Sequence, residues 1–341
     1  LLERAVAAHQ NGQFGQAENI YKKLLKSFPE HPSINAYMGH ALKAQGKYES
    51  SISAYQLSVK HDPRHPETLN GLAAAYHTQG RYPEAETWYR KALEIEPRYA
   101  EAYNNLGSAL QDQARPNDAV ECYRQALHLE PGMTGASINL HNLLFNDSNP
   151  GAAIDVLEAA YMHNTNHPKL LFYLSVLKSL NGNDNEVAAL LANISVKASA
   201  EIVALIDSWH YVSEHREPQT RLFGYSYHTR AHALEACAVE GMTLEFGVNF
   251  GATLRYIANH TDGAAHGFDS FQGIPESWRH ETAGSYSTGG ILPDVPENVK
   301  LHEGWFSDTL PGFLEAHTSA VRFLHIDCDL YSSTKTVFDS L

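Results

Sequence analysis

Acidic residues stand in or just after short apolar runs in the last hundred residues, where a carboxylate can do chemistry. These residues are Glu245, Asp269, Asp327 and Asp329. Carboxylates at strand ends accept hydrogen bonds from sugar hydroxyls, bind hard cations through oxygen, and take a proton from a hydroxyl group. The pattern predicts a polar ligand site formed by the ends of several strands.

A glycine-containing turn follows the first of these runs. The predicted strand 243–247 ends at Gly247, and Gly251 stands just before a helix predicted over 252–259. Glycine lets the backbone approach a ligand closely, and the N–H groups of such a turn can face the ligand. A nicotinamide-dependent dehydrogenase needs a Gly-x-Gly-x-x-Gly loop, and Asn249 stands where a further glycine would be expected.

Asp269 has a spacing typical of a nucleoside-binding site. It ends the strand predicted over 264–268 and comes about twenty residues after the turn. An acid in this place can accept hydrogen bonds from both ribose hydroxyls of an adenosine-containing cofactor. The alternative is that Asp269 caps the turn before 271–275.

Two further predicted strands, 298–303 and 321–326, alternate with helices. Such alternation predicts a doubly wound parallel sheet, in which ligands gather at the carboxyl edge. One rim of the sheet is then expected to carry Gly247, Asp269, Trp305 and Asp327. The predicted fold of 241–341 is a Rossmann-like α/β sheet.

The first part of the chain repeats with a period of 34 residues. One column of the repeat holds tyrosine and another holds proline, namely Tyr21, Tyr55, Tyr89 and Tyr123, and Pro29, Pro63, Pro97 and Pro131. A helix pair per repeat explains the columns, since the aromatic ring fills the space between helices and proline ends the second one. The repeat resembles the tetratricopeptide repeat, which predicts an all-α solenoid of five to six hairpins over 1–199, clearest to about residue 134.

The solenoid is expected to present a concave surface to a protein or peptide partner. Exposed candidates on that surface are Asn70, Asn104, Asn105 and Asn139. Their amides could bind a peptide backbone; the alternative is that they are solvated polar positions. The tyrosine column is predicted to be core packing.

Composition limits the remaining possibilities. The chain has 341 residues and 43% hydrophobic content, which suits two domains, and a helical connector is predicted over 200–240. A net charge of −14 argues against nucleic acid as a partner. No apolar run approaches the roughly 18–20 residues needed to cross a bilayer. The three cysteines lie far apart in sequence, which favours a reducing cytoplasm.

Four motifs in the last hundred residues together resemble the macrocin O-methyltransferase family. They are Glu-Phe-Gly-Val at 245–248, Gly-Phe-Asp-Ser-Phe-Gln-Gly-Ile-Pro-Glu at 267–276, Glu-Gly-Trp-Phe-Ser-Asp-Thr-Leu-Pro at 303–311, and His-Ile-Asp-Cys-Asp-Leu-Tyr-Ser-Ser-Thr at 325–334. This family belongs to the class I S-adenosylmethionine-dependent methyltransferases. The resemblance covers about residues 241–341.

The resemblance implies roles for individual residues. Glu245, Gly247 and Gly251 would line the amino acid part of S-adenosylmethionine, Asp269 would hold the ribose, and Ser307 and Asp308 would lie beside the adenine. Asp327 would bind magnesium and take the proton of the acceptor hydroxyl, with Asp329 as a second metal ligand and Tyr331 nearby. The alternative for Asp329 and Tyr331 is a polar cap at a strand end without a metal.

The resemblance implies a metal-assisted O-methyltransferase acting on a sugar or similar polyol, and the repeats are expected to serve as a scaffold. The insertion 276–296 is expected to form a lid that selects the acceptor. Members of the family continue with further strands and a second acidic cluster, so we expect Leu341 to mark a truncation and this chain to bind magnesium poorly. The alternative is a repeat-based interaction protein whose methyltransferase-like domain is inactive.

Overall fold

The computed structural model describes residues 1–145, 150–194, 199–217, 220–277 and 283–341. The middle of the predicted lid, 278–282, lies outside these ranges. The chain divides into two compact units, Leu1–Tyr225 and Ser226–Leu341. The helical connector predicted over 200–240 is therefore shared between them. No helix among the described residues is long and apolar enough to cross a membrane.

The first unit is helical throughout its described part. Its helices are α1 (Leu2–Gln10), α2 (Phe14–Ser27), α3 (Pro32–Lys43), α4 (Tyr48–His61), α5 (Pro66–Thr78), α6 (Tyr82–Ile95), α7 (Ala100–Asp112), α8 (Pro116–Leu129), α9 (Thr134–Leu144), α10 (Gly151–His163), α11 (Pro168–Leu180), α12 (Asp184–Ala192) and α13 (Ala200–His215). Within the described ranges α1 to α12 pair into six hairpins, and each hairpin packs on the next. The predicted solenoid is confirmed.

The tyrosine column forms the core between hairpins, as predicted. Each of its four rings is at most 3% exposed. Glycines on the neighbouring helices make room for the rings: a Cβ at Gly71 would lie 2.8 Å from the ring of Tyr55, and one at Gly107 would lie 2.7 Å from Tyr123. Helices of successive repeats can therefore approach with a tyrosine between them.

Replacement of Gly71 by alanine is expected to destabilise the repeats. The added methyl group overlaps the buried Tyr55 ring, and overpacking of this kind costs about 1–3 kcal/mol. Gly135 in α9 is the control, because a Cβ there meets nothing within 4 Å and alanine gains about 1 kcal/mol in helix propensity. Urea unfolding of both variants tests this; equal stability in the two would contradict it.

The end of the first unit is anchored on the repeats. Tyr225 is buried, and its hydroxyl donates to the backbone carbonyl of Gln111 at 2.8 Å. A Cβ at Gly224 would lie 2.6 Å from the carbonyl oxygen of Asn142. The residues that end this unit are therefore packed against α7 and α9.

The second unit is a parallel sheet with helices on both faces. Its elements are α14 (Ser226–Ala236), β1 (Met242–Phe246), α15 (Ala252–Asn259), β2 (Ala265–Asp269), β3 (Val299–Glu303), α16 (Phe306–Ala316), β4 (Val321–Ile326) and α17 (Tyr331–Ser340). The strand order is β3-β2-β1-β4, and every pair is parallel. The Rossmann-like architecture is thus as predicted.

The alternation of side chains along β1 separates two cores. Leu244 and Phe246 point to one face and pack with Leu310 and Phe313 of α16 and Val337 of α17. The opposite face is covered by α14 and α15, where Leu234, Ile257 and Phe323 form a small cluster. Because side chains alternate along a strand, Glu245 lies on the α14 and α15 side.

Candidate functional site

The site lies where the strand order reverses, at the carboxyl ends of β1 and β4. The chain runs from β1 outward to β2 and β3 on one side and returns to β4 on the other, and a crevice opens at such a switch point. Gly247 occupies this point with φ at +89°. A Cβ on Gly247 would lie 2.1 Å from the carbonyl oxygen of Asp327, so only glycine fits between β1 and β4.

The carboxylate of Asp269 holds the turn after β1. Its Oδ2 accepts hydrogen bonds from the backbone N–H groups of Val248 and Asn249, both at 2.8 Å. Its Oδ1 accepts from the N–H of Phe271 at 2.7 Å. The turn-capping alternative for Asp269 is therefore present in the structure. A carboxylate has about four acceptor positions, so one remains for a ribose hydroxyl.

The turn itself ends in a left-handed glycine. Gly251 has φ at +73° and caps the N-terminus of α15. Asn249 also has a positive φ, at +50°, and its Oδ1 is buried without a hydrogen-bond partner among the described residues. In the sequence, Asn249 stands out only as a departure from a glycine pattern. The structure makes it a candidate ligand-binding residue, since a buried acceptor needs a donor.

Glu245 is buried, and its carboxylate is half satisfied. The residue is 1% exposed. Oε1 accepts from Nδ1 of His325 at 2.9 Å, whereas Oε2 has no hydrogen-bond partner in the part of the chain described. Burial raises the pKa of this carboxyl group, and the hydrogen bond from His325 acts in the opposite direction. A donor with a positive charge is the partner that Oε2 lacks.

The residues predicted to lie beside the adenine follow β3. Ser307 and Asp308 are exposed in the first turn of α16, and the Ser307 hydroxyl donates to Oδ1 of Asp308 at 3.1 Å. The Gly304 N–H donates to the carbonyl oxygen of Asp269 at 3.0 Å, which joins the ends of β3 and β2. Trp305 is 38% exposed at the N-cap of α16. These groups share the carboxyl edge with Gly247.

The proposed metal ligands lie at the end of β4. Asp327 and Asp329 are both exposed, and Asp329 adopts a positive φ of +57°. No group of three or more His, Cys, Asp or Glu side chains suited to a metal ion occurs among the residues described. Magnesium prefers an octahedral set of oxygen ligands. The donor set of the described residues therefore does not fit a magnesium site.

The described part of the predicted lid, 276–296, is tied to helices on both sides of the crevice. The Ser332 hydroxyl in α17 donates to Oε1 of Glu276 at 3.0 Å. Nη1 of Arg255 in α15 donates to the carbonyl oxygen of Asp294 at 2.8 Å. Both of these described parts of the connection therefore lie near the first turns of α15 and α17, at the carboxyl edge of the sheet.

The four asparagines of the repeats form an asparagine ladder. Nδ2 of Asn139 donates to Asn104 at 3.4 Å, Asn104 to Asn105 at 3.3 Å, Asn105 to Asn70 at 3.1 Å, and Asn70 to Oε1 of Glu101 at 3.1 Å. The predicted exposure of Asn70 is wrong, because this residue is 5% exposed, and the other three are half-buried. Hydrogen bonds between side chains of neighbouring helices explain why these amides are buried or half-buried.

Family models match both parts of the chain. Tetratricopeptide repeat models match residues 31–98, 67–129 and 104–169. A model described as a methyltransferase domain matches residues 244–341. The chain therefore joins tetratricopeptide repeats to a methyltransferase domain. No curated protein matches it significantly.

Solved structures resemble the chain over more than half its length. A structure titled for Pseudomonas aeruginosa pilF has 17% identity and a TM-score of 0.52, covering 61% of this chain and 95% of that one. A tetratricopeptide repeat protein from Parabacteroides merdae has 14% identity and a TM-score of 0.49, covering 69% and 89%. YrrB, titled a TPR protein with an unusual peptide-binding site, has 17% identity and a TM-score of 0.40, covering 55% and 97%. The first of these supports the fold alone.

Proposed function

We propose that this protein is an S-adenosylmethionine-dependent O-methyltransferase whose repeats bind a protein or peptide partner. The observation that carries the proposal is the buried Oε2 of Glu245, which has no donor among the described residues and lies beside a glycine turn at the switch point of a methyltransferase domain. The cofactor ends in an α-ammonium group, and a cationic donor suits a buried carboxylate oxygen. The residues present therefore fit the cofactor.

Other residues have complementary roles in this proposal. Gly247 and Gly251 let the backbone approach the amino acid part of the cofactor, and the remaining acceptor position of Asp269 binds a ribose hydroxyl. Asn249 Oδ1 offers a second buried acceptor to a cofactor donor. Two more residues, Ser307 and Asp308, are proposed to lie beside the adenine.

The chemistry requires alignment and removal of one proton. When bound, S-adenosylmethionine would supply a methyl group on a sulfonium for in-line transfer to the acceptor oxygen. The protein holds the acceptor close to that line, and proximity of this kind lowers the barrier substantially. We propose that the Asp327 carboxylate takes the hydroxyl proton as the oxygen attacks. The family resemblance implies magnesium assistance, but the donor set of the described residues does not fit magnesium.

The acceptor is proposed to be a hydroxyl of a sugar or similar polyol. This class follows from the family resemblance, and the lid provides hydroxyl-bearing side chains near the crevice. Thr288 donates to the carbonyl oxygens of Phe271 and Ile291, and Ser287 also donates to Phe271. These bonds hold the lid in shape.

A reducing cytoplasm is the proposed location, which agrees with three unpaired cysteines.

The partner of the repeats is proposed to be an extended peptide segment. Support comes from the half-buried members of the asparagine ladder, Asn104, Asn105 and Asn139 on α7 and α9, whose amides carry both donors and acceptors for a peptide backbone. A non-catalytic interaction protein is the second candidate. It is favoured by the carboxylate of Asp269, since three backbone N–H groups already occupy most of its acceptor positions.

Calorimetric titration of S-adenosylmethionine into the protein, with and without magnesium, tests the proposal. Saturable binding supports the enzyme and justifies a screen of polyol acceptors. Folded protein that does not bind the cofactor supports the interaction protein instead. Binding that is unchanged by magnesium agrees with a mechanism in which the protein alone handles the proton.

Replacement of Asp327 by alanine is expected to abolish methyl transfer while cofactor affinity stays within a few fold. The carboxylate is exposed at the end of β4, so its removal leaves the sheet intact, and loss of a general base lowers the rate by about 10²–10⁴-fold. Asp339→Ala, in the last turn of α17, is the control for an acid outside the crevice. Unchanged turnover of Asp327→Ala would remove the base role.

A further inference from the structure

We propose that His325 and Arg230 form a positioning relay that keeps one oxygen of Glu245 free for the α-ammonium group of the cofactor. The inference rests on the proposed function and deepens it, because it names the residues that prepare the amino acid subsite. Glu245 would touch the cofactor, whereas His325 and Arg230 act through Glu245.

The relay is built from three elements that meet on one face of the sheet. Glu245 in β1 and His325 in β4 are register partners, so their side chains point to the same face. Nδ1 of His325 lies 2.9 Å from Oε1 of Glu245. Nε of Arg230, from α14, lies 3.2 Å from Nε2 of His325. The three groups therefore form one continuous hydrogen-bonded line.

The guanidinium group of Arg230 determines which ring nitrogen of His325 carries the proton. Arginine has only N–H donors, so Nε of Arg230 donates and Nε2 of His325 accepts. A ring nitrogen that accepts carries no proton, and the proton of the neutral ring is then on Nδ1. His325 therefore donates from Nδ1 to Oε1 of Glu245, which is the tautomer that a carboxylate requires.

The arginine is held in place by its own helix. Its Nη1 donates to the Ser226 hydroxyl at 3.0 Å, one helical turn away. Its guanidinium carbon lies 5.2 Å from the centre of the Tyr227 ring, within the range of a cation–π contact. Arg230 can thus polarise His325 without contacting Glu245.

This indirect arrangement explains why Oε2 has no donor in the described part of the chain. An arginine paired directly with Glu245 would form two parallel hydrogen bonds and occupy both carboxylate oxygens. A neutral imidazole donates one hydrogen bond to one carboxylate oxygen, while the ring of His325 separates the positive charge of Arg230 from Glu245. The relay therefore orients the buried carboxylate of Glu245 and leaves its Oε2 atom for a positively charged ligand.

The relay predicts a difference between two cofactor fragments. S-adenosylhomocysteine carries the α-ammonium group, and 5′-methylthioadenosine carries the same nucleoside and sulfur without the amino acid part. His325→Phe keeps a ring and removes both hydrogen bonds, and it is expected to weaken S-adenosylhomocysteine about tenfold or more while methylthioadenosine changes less than about twofold. His325→Asn keeps a donor near the Nδ1 position and is expected to restore most of the affinity.

Calorimetry with both compounds on the full chain is the experiment, with the melting temperature recorded for each variant. Equal weakening of the two compounds, or no weakening of S-adenosylhomocysteine, would overturn the relay while leaving the proposed function intact. Wild-type protein that binds neither compound would refute the proposed function and this inference together. Should His325→Phe fail to fold, Arg230→Met provides the same comparison at a half-buried position.

Discussion

Alanine at position 247 is expected to unfold the methyltransferase domain, or to lower its free energy of unfolding by about 3–5 kcal/mol. A Cβ would lie 2.1 Å from the carbonyl oxygen of Asp327 and 2.6 Å from its carbonyl carbon. Both are backbone atoms. The Asp327 N–H donates a hydrogen bond to the carbonyl oxygen of Phe246 at 2.8 Å, so Asp327 cannot move away from Gly247 without breaking the pairing of β4 with β1. The positive φ of Gly247 adds to the cost.

Hydrogen exchange of peptides from β1 and β4 measures this loss without interference from the repeats. Gly284→Ala is the matched control, because Gly284 also has a positive φ, of +87°, and a Cβ there meets nothing within 4 Å. It isolates backbone strain, which costs about 1–2 kcal/mol. Equal protection of the β1 amides from exchange in the two variants would show that the close approach of Gly247 to Asp327 does not determine the stability of the domain.

Asp269→Ala is expected to have the second-largest effect, on both the turn and the cofactor. Three backbone N–H groups lose a charged acceptor at 2.7–2.8 Å. Hydrogen bonds to charged groups contribute about 1.5–3 kcal/mol each, and water replaces part of that where the turn is only half-buried. We expect about 2–4 kcal/mol less local stability, and a further loss of about 1.5–3 kcal/mol in cofactor affinity through the ribose contact.

The two losses are separable by experiment. Hydrogen exchange at 248–251 reports the turn, and titration with S-adenosylhomocysteine reports the cofactor site. Asp294→Ala is the control, since this acid is exposed and contributes its backbone carbonyl to Arg255. A faster-exchanging turn with unchanged affinity would leave Asp269 as a turn cap only. Unchanged exchange would contradict the holding role.

Sequence patterns predicted the elements of the second unit well because the apolar residues of each strand are followed by a glycine or an aspartate at its carboxyl end. The predicted bounds of β4 match the structure, and β1 and β2 shift by one residue. The bond between Glu245 and His325 could not be foreseen, because it joins strands 80 residues apart in sequence. Its signal exists only once the sheet order places β4 beside β1.

The repeats show the same limit. The period of 34 residues predicted the buried tyrosines, since a column of one residue type implies one environment in every repeat. The asparagine ladder follows a different interval: Asn70 bonds Asn105, and Asn104 bonds Asn139, each 35 residues apart. Polar residues spaced by the repeat period plus one residue are therefore the sequence signal for these pairs and for the burial of Asn70.

The three hydrogen bonds of Asp269 have a consequence for how fast and how tightly a ligand binds. They fix the turn after β1 in the structure without a ligand, so a cofactor meets a preorganised loop and loses little conformational entropy in ordering it. Association is then governed by the rate of encounter, which cofactor analogues share. Differences in affinity among those analogues therefore reside in their dissociation rates.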